Sequence, residues 1–393
     1  MQATATGPAL LDLFPGKGLG PFRLGLPLCD ALAASAALPA RAAGVQVRYD
    51  AERPLCSDIV LHLEAGGFRL WFEPRAQQLR LVEIYDLSRA RLRYCGRPLG
   101  GSPQHATFAH LCDTLGPTFP GSFDAERSIV VVRYPGLELH FAIPPQHAAA
   151  VAEQSARPGA AHPLELPDGT APACVRALLH AGGVSTAAAA AVPPTLPHST
   201  LPLSYMEEVR CTLGVGLHFQ CTGHELPFGC GAQDAWAALG PPEDVQRRTV
   251  DAMGIHGQPA AYSGEGEGEA AADNSYFFRY YSRGIDLLFD GDTHTLKKAV
   301  VRANWPGHAD FNVYARCNFV ICDGPAAEER RVLCTVASSW GECAKALGPA
   351  SGPAVNMAPE SPFGHTLVYG ARCAAVEVMP SSSAIASVTL TAA

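Results

Sequence analysis

A short helix signal closed by Leu-Gly-Pro occurs three times, and it limits what this chain can fold into more than any other feature. It spans Thr107 to Pro117, Ala232 to Pro241 and Trp340 to Pro349, with a degenerate copy from Leu26 to Leu32. Within each copy the apolar residues fall at helical spacing. The Gly supplies a positive φ after the last turn, and the Pro forbids continuation. Trp236 is expected on the buried face, sharing one core with Phe289. A strand signal follows each helix, as a Gly and then alternating residues: Gly67 to Phe72, Gly136 to Phe141, Gly284 to Phe289 and, more weakly, Gly370 to Val376. Period-two alternation marks strands with one buried face.

Other strands flank these, at Ser128–Tyr134 and Tyr276–Tyr281 before the Gly and at Leu79–Tyr85 and Leu296–Arg302 after it. The Gly is therefore expected in a hairpin turn. The unit that repeats is a helix followed by two or three antiparallel strands, and four copies fit the chain. The fold class this predicts is α+β, built as tandem helix-plus-antiparallel-sheet repeats in two halves, each helix packed on one face of its sheet.

The halves fall at 21–145 and 205–393, with an N-terminal arm over 1–20. Residues 146–204 read as an Ala/Pro-rich linker, with strand signals at Leu164–Gly169 and Cys174–Leu179. Residues 253–273 contain the alternating Gly264 to Glu269 stretch and read as a flexible acidic loop. At 393 residues and 48% hydrophobic, the chain can bury a sizeable core. A formal net charge of -8 argues against nucleic acid as a partner and against bulk attraction to an anionic membrane. The 13 cysteines are scattered through mostly apolar runs, and no secretory signal is expected, so they read as reduced, mostly buried thiols of a cytoplasmic protein.

No spacing specifies catalysis or a metal. Cys211, Cys221, His224 and Cys230 fit no tight zinc pattern, and Gly16 to Gly20 lacks both the Rossmann and the P-loop context. His110, His140, His294 and His308 have no acid or base partners close in sequence. No catalytic residue, metal or cofactor is therefore expected. Two patches do invite a functional reading. Arg89, Arg91 and Arg93 recur every second residue, which on a strand puts three guanidinium groups on one face. That face suits phosphate, as an anion or lipid patch, or is the solvated face of an edge strand. Between Asn304 and Phe319, a turn at Pro306-Gly307 leads into an expected strand. It has Phe311, Val313, Ala315 and Cys317 on one face and Asn312, Tyr314, Arg316 and Asn318 on the other. Trp305, His308, Asn312, Tyr314 and Arg316 are the candidate partner interface. The alternative is a packed hairpin whose aromatics fill the core.

The stretches Asp286 to Lys298, Asn304 to Tyr314 and Ile385 to Leu390 resemble the phagosome assembly factor 1 family. So do Leu24–Leu28, Val45–Tyr49, Leu92–Gly96 and Pro362–Gly364, in family order. The segment from about 145 to 275 departs from the animal members. The resemblance implies a non-enzymatic, cytoplasmic regulator of autophagy. Such a protein acts in a complex with a β-propeller protein of the breast carcinoma amplified sequence type. The complex associates with the phagophore assembly site, and phosphoinositide binding is attributed to it. A lipid or small-ligand carrier is the competing reading. A core closed by Phe72, Phe141 and Phe289 favours assembly, and a large apolar cavity favours a carrier.

Overall fold

A computed structural model describes residues 10–38, 44–117, 121–155, 166, 168–181, 205–247, 274–324, 331–357 and 364–393. The acidic loop, the alanine run at 187–191 and the Pro-rich stretch after it lie outside the described residues. The chain divides into two compact units, Met1–Thr200 and Leu201–Ala393.

The first unit opens with β1 (Leu11–Phe14), β2 (Gly18–Leu19) and β3 (Phe22–Arg23), then α1 (Leu28–Ala36). Four strands follow: β4 (Gln46–Arg48), β5 (Ile59–Leu63), β6 (Phe68–Phe72) and β7 (Leu79–Ile84). After β8 (Leu92–Tyr94) and β9 (Arg97–Pro98) come α2 (Phe108–Leu115), β10 (Ser122–Asp124), β11 (Ile129–Tyr134), β12 (Leu137–Ala142), α3 (Pro145–Ser155) and β13 (Ala173–His180). The second unit runs β14 (Glu208–Thr212), β15 (Gly216–Phe219), β16 (Glu225–Pro227) and α4 (Ala232–Leu239). It continues through β17 (Asp244–Arg247), β18 (Tyr276–Tyr280), β19 (Ile285–Phe289), β20 (Leu296–Arg302), β21 (Asn318–Asp323) and β22 (Arg331–Thr335). It ends with α5 (Trp340–Leu347), β23 (Ser351–Met357), β24 (His365–Ala371), β25 (Ala374–Val378) and β26 (Ile385–Thr391).

The architecture is α+β but mostly sheet. Each unit holds a five-stranded sheet with one parallel pair, β1 with β8 or β14 with β21. Each also holds an eight-stranded antiparallel sheet, ordered β10-β11-β12-β13-β7-β6-β5-β4 in the first and β17-β18-β19-β20-β26-β25-β24-β23 in the second. Both units pass through the same element order, α3 excepted. Each of α1, α2, α4 and α5 precedes four antiparallel strands, where two or three were expected.

The helices are anchored by a shared device. The residue just before each helix, Pro27, Thr107, Gly231 or Ser339, bridges the chain at or just before the fourth strand, at Gln78, Ala173, Thr295 or Ala384. The first helical N–H then donates to a carbonyl of the preceding turn: Leu28 to Gln77, Phe108 to Pro172, Ala232 to His294 and Trp340 to Ser383, at 2.9, 2.9, 3.1 and 2.7 Å. One of the donors that every helix start leaves unpaired is thus satisfied by its own sheet. At the other end the Tyr134 and Tyr280 hydroxyls donate to the Gly116 and Gly240 carbonyls, at 2.9 and 3.1 Å. Leu115, Leu239 and Leu347 end their helices, with φ of 90°, 84° and 89° at the following Gly.

Two of the hairpin glycines are sterically obligatory. Gly67 and Gly284 both have φ of 69°, and a Cβ would come within 2.6 Å of the Asp86 carbonyl oxygen or 2.3 Å of the Ala315 one. Phe72, Phe141 and Phe289 are fully buried.

Several expectations need correction. Gly370 lies inside β24, where it leaves room for the Ser351 hydroxyl, and the turn falls instead at Arg372-Cys373. The expected arm forms β1 and β2, and Leu11, Leu13 and Leu19 are buried. The linker region contributes β13 to the middle of the eight-stranded sheet, between β12 and β7, because Ala177, Leu178 and Leu179 supply a buried run. Described residues between 164 and 169 form no strand. Trp236 is 53% exposed, not buried. The buried positions of α4 are Ala235 and Leu239, one turn apart, and Trp236 is rotated off that face, touching Phe278 edge-on at 6.4 Å between ring centres.

Candidate functional site

The alternating arginines do not form a row on a strand. Only Arg93 lies in β8, where its guanidinium grips Asp12 of β1 through two hydrogen bonds of 2.6 and 2.9 Å. That bond holds the Asp12 carboxyl below its usual range. Arg89 sits in a turn whose first residue, Asp86, accepts from the Ser88 and Arg89 amides, and its Nε lies 3.1 Å from Asp86. Arg91 precedes β8, and its carbonyl accepts from Leu11 N–H at 2.9 Å. The turn breaks the two-residue period, so the three groups share no face. Arg89 and Arg91 instead line an apolar cleft of about 240 Å³ in the first unit, walled by Leu11, Leu38, Val45, Leu63 and Phe68. Arg93 lines a separate groove with Asp12, Phe14 and Lys17.

The segment from Asn304 to Cys317 is not the expected strand, but a run of turns tucked against the eight-stranded sheet of the second unit. Asn304 and Asn312 adopt φ of 51° and 66°, and the Asn304 side chain accepts from the Asn312 amide at 3.0 Å, which closes the loop. Trp305, His308, Tyr314 and Arg316 are buried, and of the five interface candidates only Asn312 is exposed. Trp305 donates to the Ile385 carbonyl at 2.8 Å, and the Arg316 guanidinium stacks 4.3 Å over its ring. The packed reading of these aromatics accounts for their contacts.

Two carboxylates that sequence reasoning missed hold Tyr314 and His308: the buried Asp286 and the half-buried Glu377. Asp286 is 2% exposed and accepts from the Tyr314 hydroxyl and, at 2.9 Å, from Arg302. Arg302 also pairs with Asp310 and lies 4.3 Å over the Tyr314 ring, while Arg279 donates to the Tyr314 oxygen at 3.0 Å. Burial, and then the Asp286 charge, push the Tyr314 hydroxyl well above its ordinary range. Glu377 accepts from Thr366 at 2.5 Å, Ser387 at 2.7 Å and Asn356 at 3.0 Å, and His308 Nε2 lies 3.3 Å away. The Asp310 amide donates to His308 Nδ1, so Nε2 is left as the nitrogen that donates to Glu377. These groups line a polar hollow of about 330 Å³. The first unit has counterparts. Glu138 takes Arg133 at 2.9 Å and His140 at 2.6 Å, and Glu83 takes Arg176 at 2.7 Å and the Trp71 indole at 3.0 Å. His140 and His308 thus do have acidic partners. The signal for Glu138 and Asp286 was present, as an acid two residues past the turn Gly in an alternating strand.

Burial works to raise the Glu377 carboxyl, but the hydrogen bonds of His308, Thr366 and Ser387 outweigh it and hold the group well below its ordinary 4.5. A lowered folded value stabilises the fold above the unfolded value and loses that stability as pH falls toward the folded one. Stability of the second unit is expected to drop as pH falls below about 5. In denaturant titrations across that range, Glu377→Gln should flatten the drop, and an unchanged slope would count against it. Among the described residues no three His, Cys, Asp or Glu side chains converge as a metal site, and no helix is long and apolar enough to cross a membrane.

Fold and site together define a sheet-rich α+β protein of two like-ordered halves, its charged and aromatic side chains drawn into internal clusters. The family model described as phagosome assembly factor 1 matches residues 18–391. A PHAF1 protein of Arabidopsis thaliana is 40% identical, covering 99% of this chain and 95% of that one. A PHAF1 protein of Drosophila melanogaster is 28% identical over 97% and 93%, and one of Caenorhabditis elegans 25% identical over 91% and 87%. No solved structure matches. The chain belongs to the phagosome assembly factor 1 family.

Proposed function

We propose that this chain is a non-enzymatic assembly factor of autophagosome formation, acting with a β-propeller partner at the phagophore assembly site. The observation that carries this reading is the family match across residues 18–391, in a family named for phagosome assembly. The four helix-plus-meander modules are read as tandem copies of one unit, an arrangement that offers broad sheet surfaces to a partner. Asn312 is the exposed member of the candidate interface, in a loop whose Trp305 and Tyr314 are buried. Affinity purification from native cells tests the proposal. A β-propeller protein in the eluate, lost when the chain is deleted, is the expected result. Its absence under gentle lysis, together with normal autophagosome numbers in cells lacking the chain, would refute the reading.

A second reading, a carrier of a lipid or small ligand, is favoured by the apolar cleft with Arg89 and Arg91 on its lining. An anionic head beside the arginines and an apolar tail against Phe68 match that lining. Each basic group near an anionic surface contributes about 1 kcal/mol. Replacing both arginines by alanine should therefore weaken binding of the purified chain to phosphoinositide-containing vesicles about thirtyfold at low salt. Unchanged binding would remove the cleft from consideration.

A further inference from the structure

Two thiols of the second unit lie unusually close together. Cys334 on β22 and Cys343 in α5 are both buried, and their Sγ atoms are 2.7 Å apart. A disulfide brings the sulfurs to about 2.05 Å, so a movement of less than about 1 Å separates this dithiol from the bond. We propose that Cys334 and Cys343 form a reversible modification site, a dithiol that a small hydroperoxide converts to an intramolecular disulfide.

The surrounding elements suit that chemistry. β22 is the terminal strand of its five-stranded sheet, and among the described strands it pairs with β21 alone, so it can shift without dragging a second paired strand. α5 is eight residues long, and the Cys343 amide makes the first intrahelical bond, to the Ser339 carbonyl at 3.1 Å. Cys343 is thus close to the helix N-terminus, where the aligned peptide dipoles favour an anionic sulfur. Either sulfur can donate in the contact between them, so one thiol holds the proton while the other is stabilised as the anion. That place near the helix N-terminus makes Cys343 the attacking sulfur and Cys334 the resolving one.

In the first step the Cys343 thiolate attacks one oxygen of hydrogen peroxide. The O–O bond breaks, and the leaving hydroxide takes a proton and departs as water, leaving a sulfenic acid. The Cys334 sulfur then attacks the sulfenic sulfur. The S–O bond breaks, the thiol proton goes to the leaving oxygen, and a second water departs. Two thiols and one peroxide give one disulfide and two waters, and a thiol reductant reverses the change by exchange. The product staples the edge strand to the helix that follows it.

The test uses the full wild-type chain and needs no variant to fold. The protein is treated with hydrogen peroxide under native conditions, denatured, alkylated with N-ethylmaleimide and mapped by mass spectrometry. Exposed Cys56, Cys95 and Cys221 report the dose. The expected result is a cross-linked pair of Cys334 and Cys343 peptides, lighter by two hydrogens, with both alkyl groups missing and both restored by dithiothreitol. In Cys334→Ser the same treatment should leave Cys343 without an internal bond. Full alkylation of both residues at a dose that oxidises the exposed cysteines, or capture of Cys334 by a different cysteine, would overturn the proposal.

Discussion

Asp286→Ala is expected to destabilise the second unit by about 3 kcal/mol, toward the lower end of what removing one partner of a buried ion pair costs. The carboxylate is almost wholly removed from water, and it faces the Arg302 guanidinium and the Tyr314 hydroxyl at once. Without it the carboxylate left to Arg302 among the described residues is Asp310, whose side chain is 42% exposed and therefore screened by solvent. Tyr314 loses its acceptor, and the Arg279 bond to the Tyr314 oxygen loses the negative charge that balanced it. Denaturant unfolding with the slope held constant measures the loss. The loss should change little between low salt and about 1 M salt, because buried pairs are weakly screened. A cost under about 1 kcal/mol would mean that water reaches the cluster.

The second large effect lies in the core beneath α4. Phe289→Ala should cost about 3–5 kcal/mol, the sum of lost transfer free energy and the cavity left behind. Phe289 has no exposed surface, stacks on Tyr276 at 5.6 Å and meets Phe278 at 4.9 Å between ring centres. Trp236→Ala should cost about 1 kcal/mol, since its exposed ring adds little beyond the edge contact with Phe278. Equal losses from the two substitutions, in parallel unfolding curves, would show that the helix is docked by a different face.

That contrast shows where sequence reasoning succeeded and where it slipped. Aligned on Leu-Gly-Pro, the three strongest helix copies put Leu111, Ala235 and Cys343 at one position, and all three are buried. Trp236 stands one residue past that shared position, which is the one that marks the inward face of each helix. The hairpins were legible because Gly67, Gly136 and Gly284 stand at turns that precede alternating residues. The first strand of each module, β4, β10, β17 or β23, was harder to see, because it lies at a sheet edge, is largely exposed and lacks a buried apolar alternation. β13 was legible as a strand signal, but it follows a stretch whose composition reads as linker.

The candidate sites were less legible than the fold. Arg89, Arg91 and Arg93 keep strand spacing in the sequence, but the Asp86 turn bends the chain out of that period. Trp305, His308, Tyr314 and Arg316 read equally as interface or core, since both environments favour aromatics beside Arg and Asn. Their partners Asp286, Glu377 and Ile385 come from distant strands, and no local pattern pairs them with these residues.

The sequence by itself determined the α+β class, the helix ends, most strand positions and the family, because periodicity, turn glycines and collinear motifs are local properties of the chain. Tertiary structure alone decided which charges are buried, which arginines share a cleft and which thiols meet. Those outcomes depend on how elements far apart in sequence meet, and a one-residue change in strand register would send Asp286, Glu377 or Cys334 to the opposite face of its sheet.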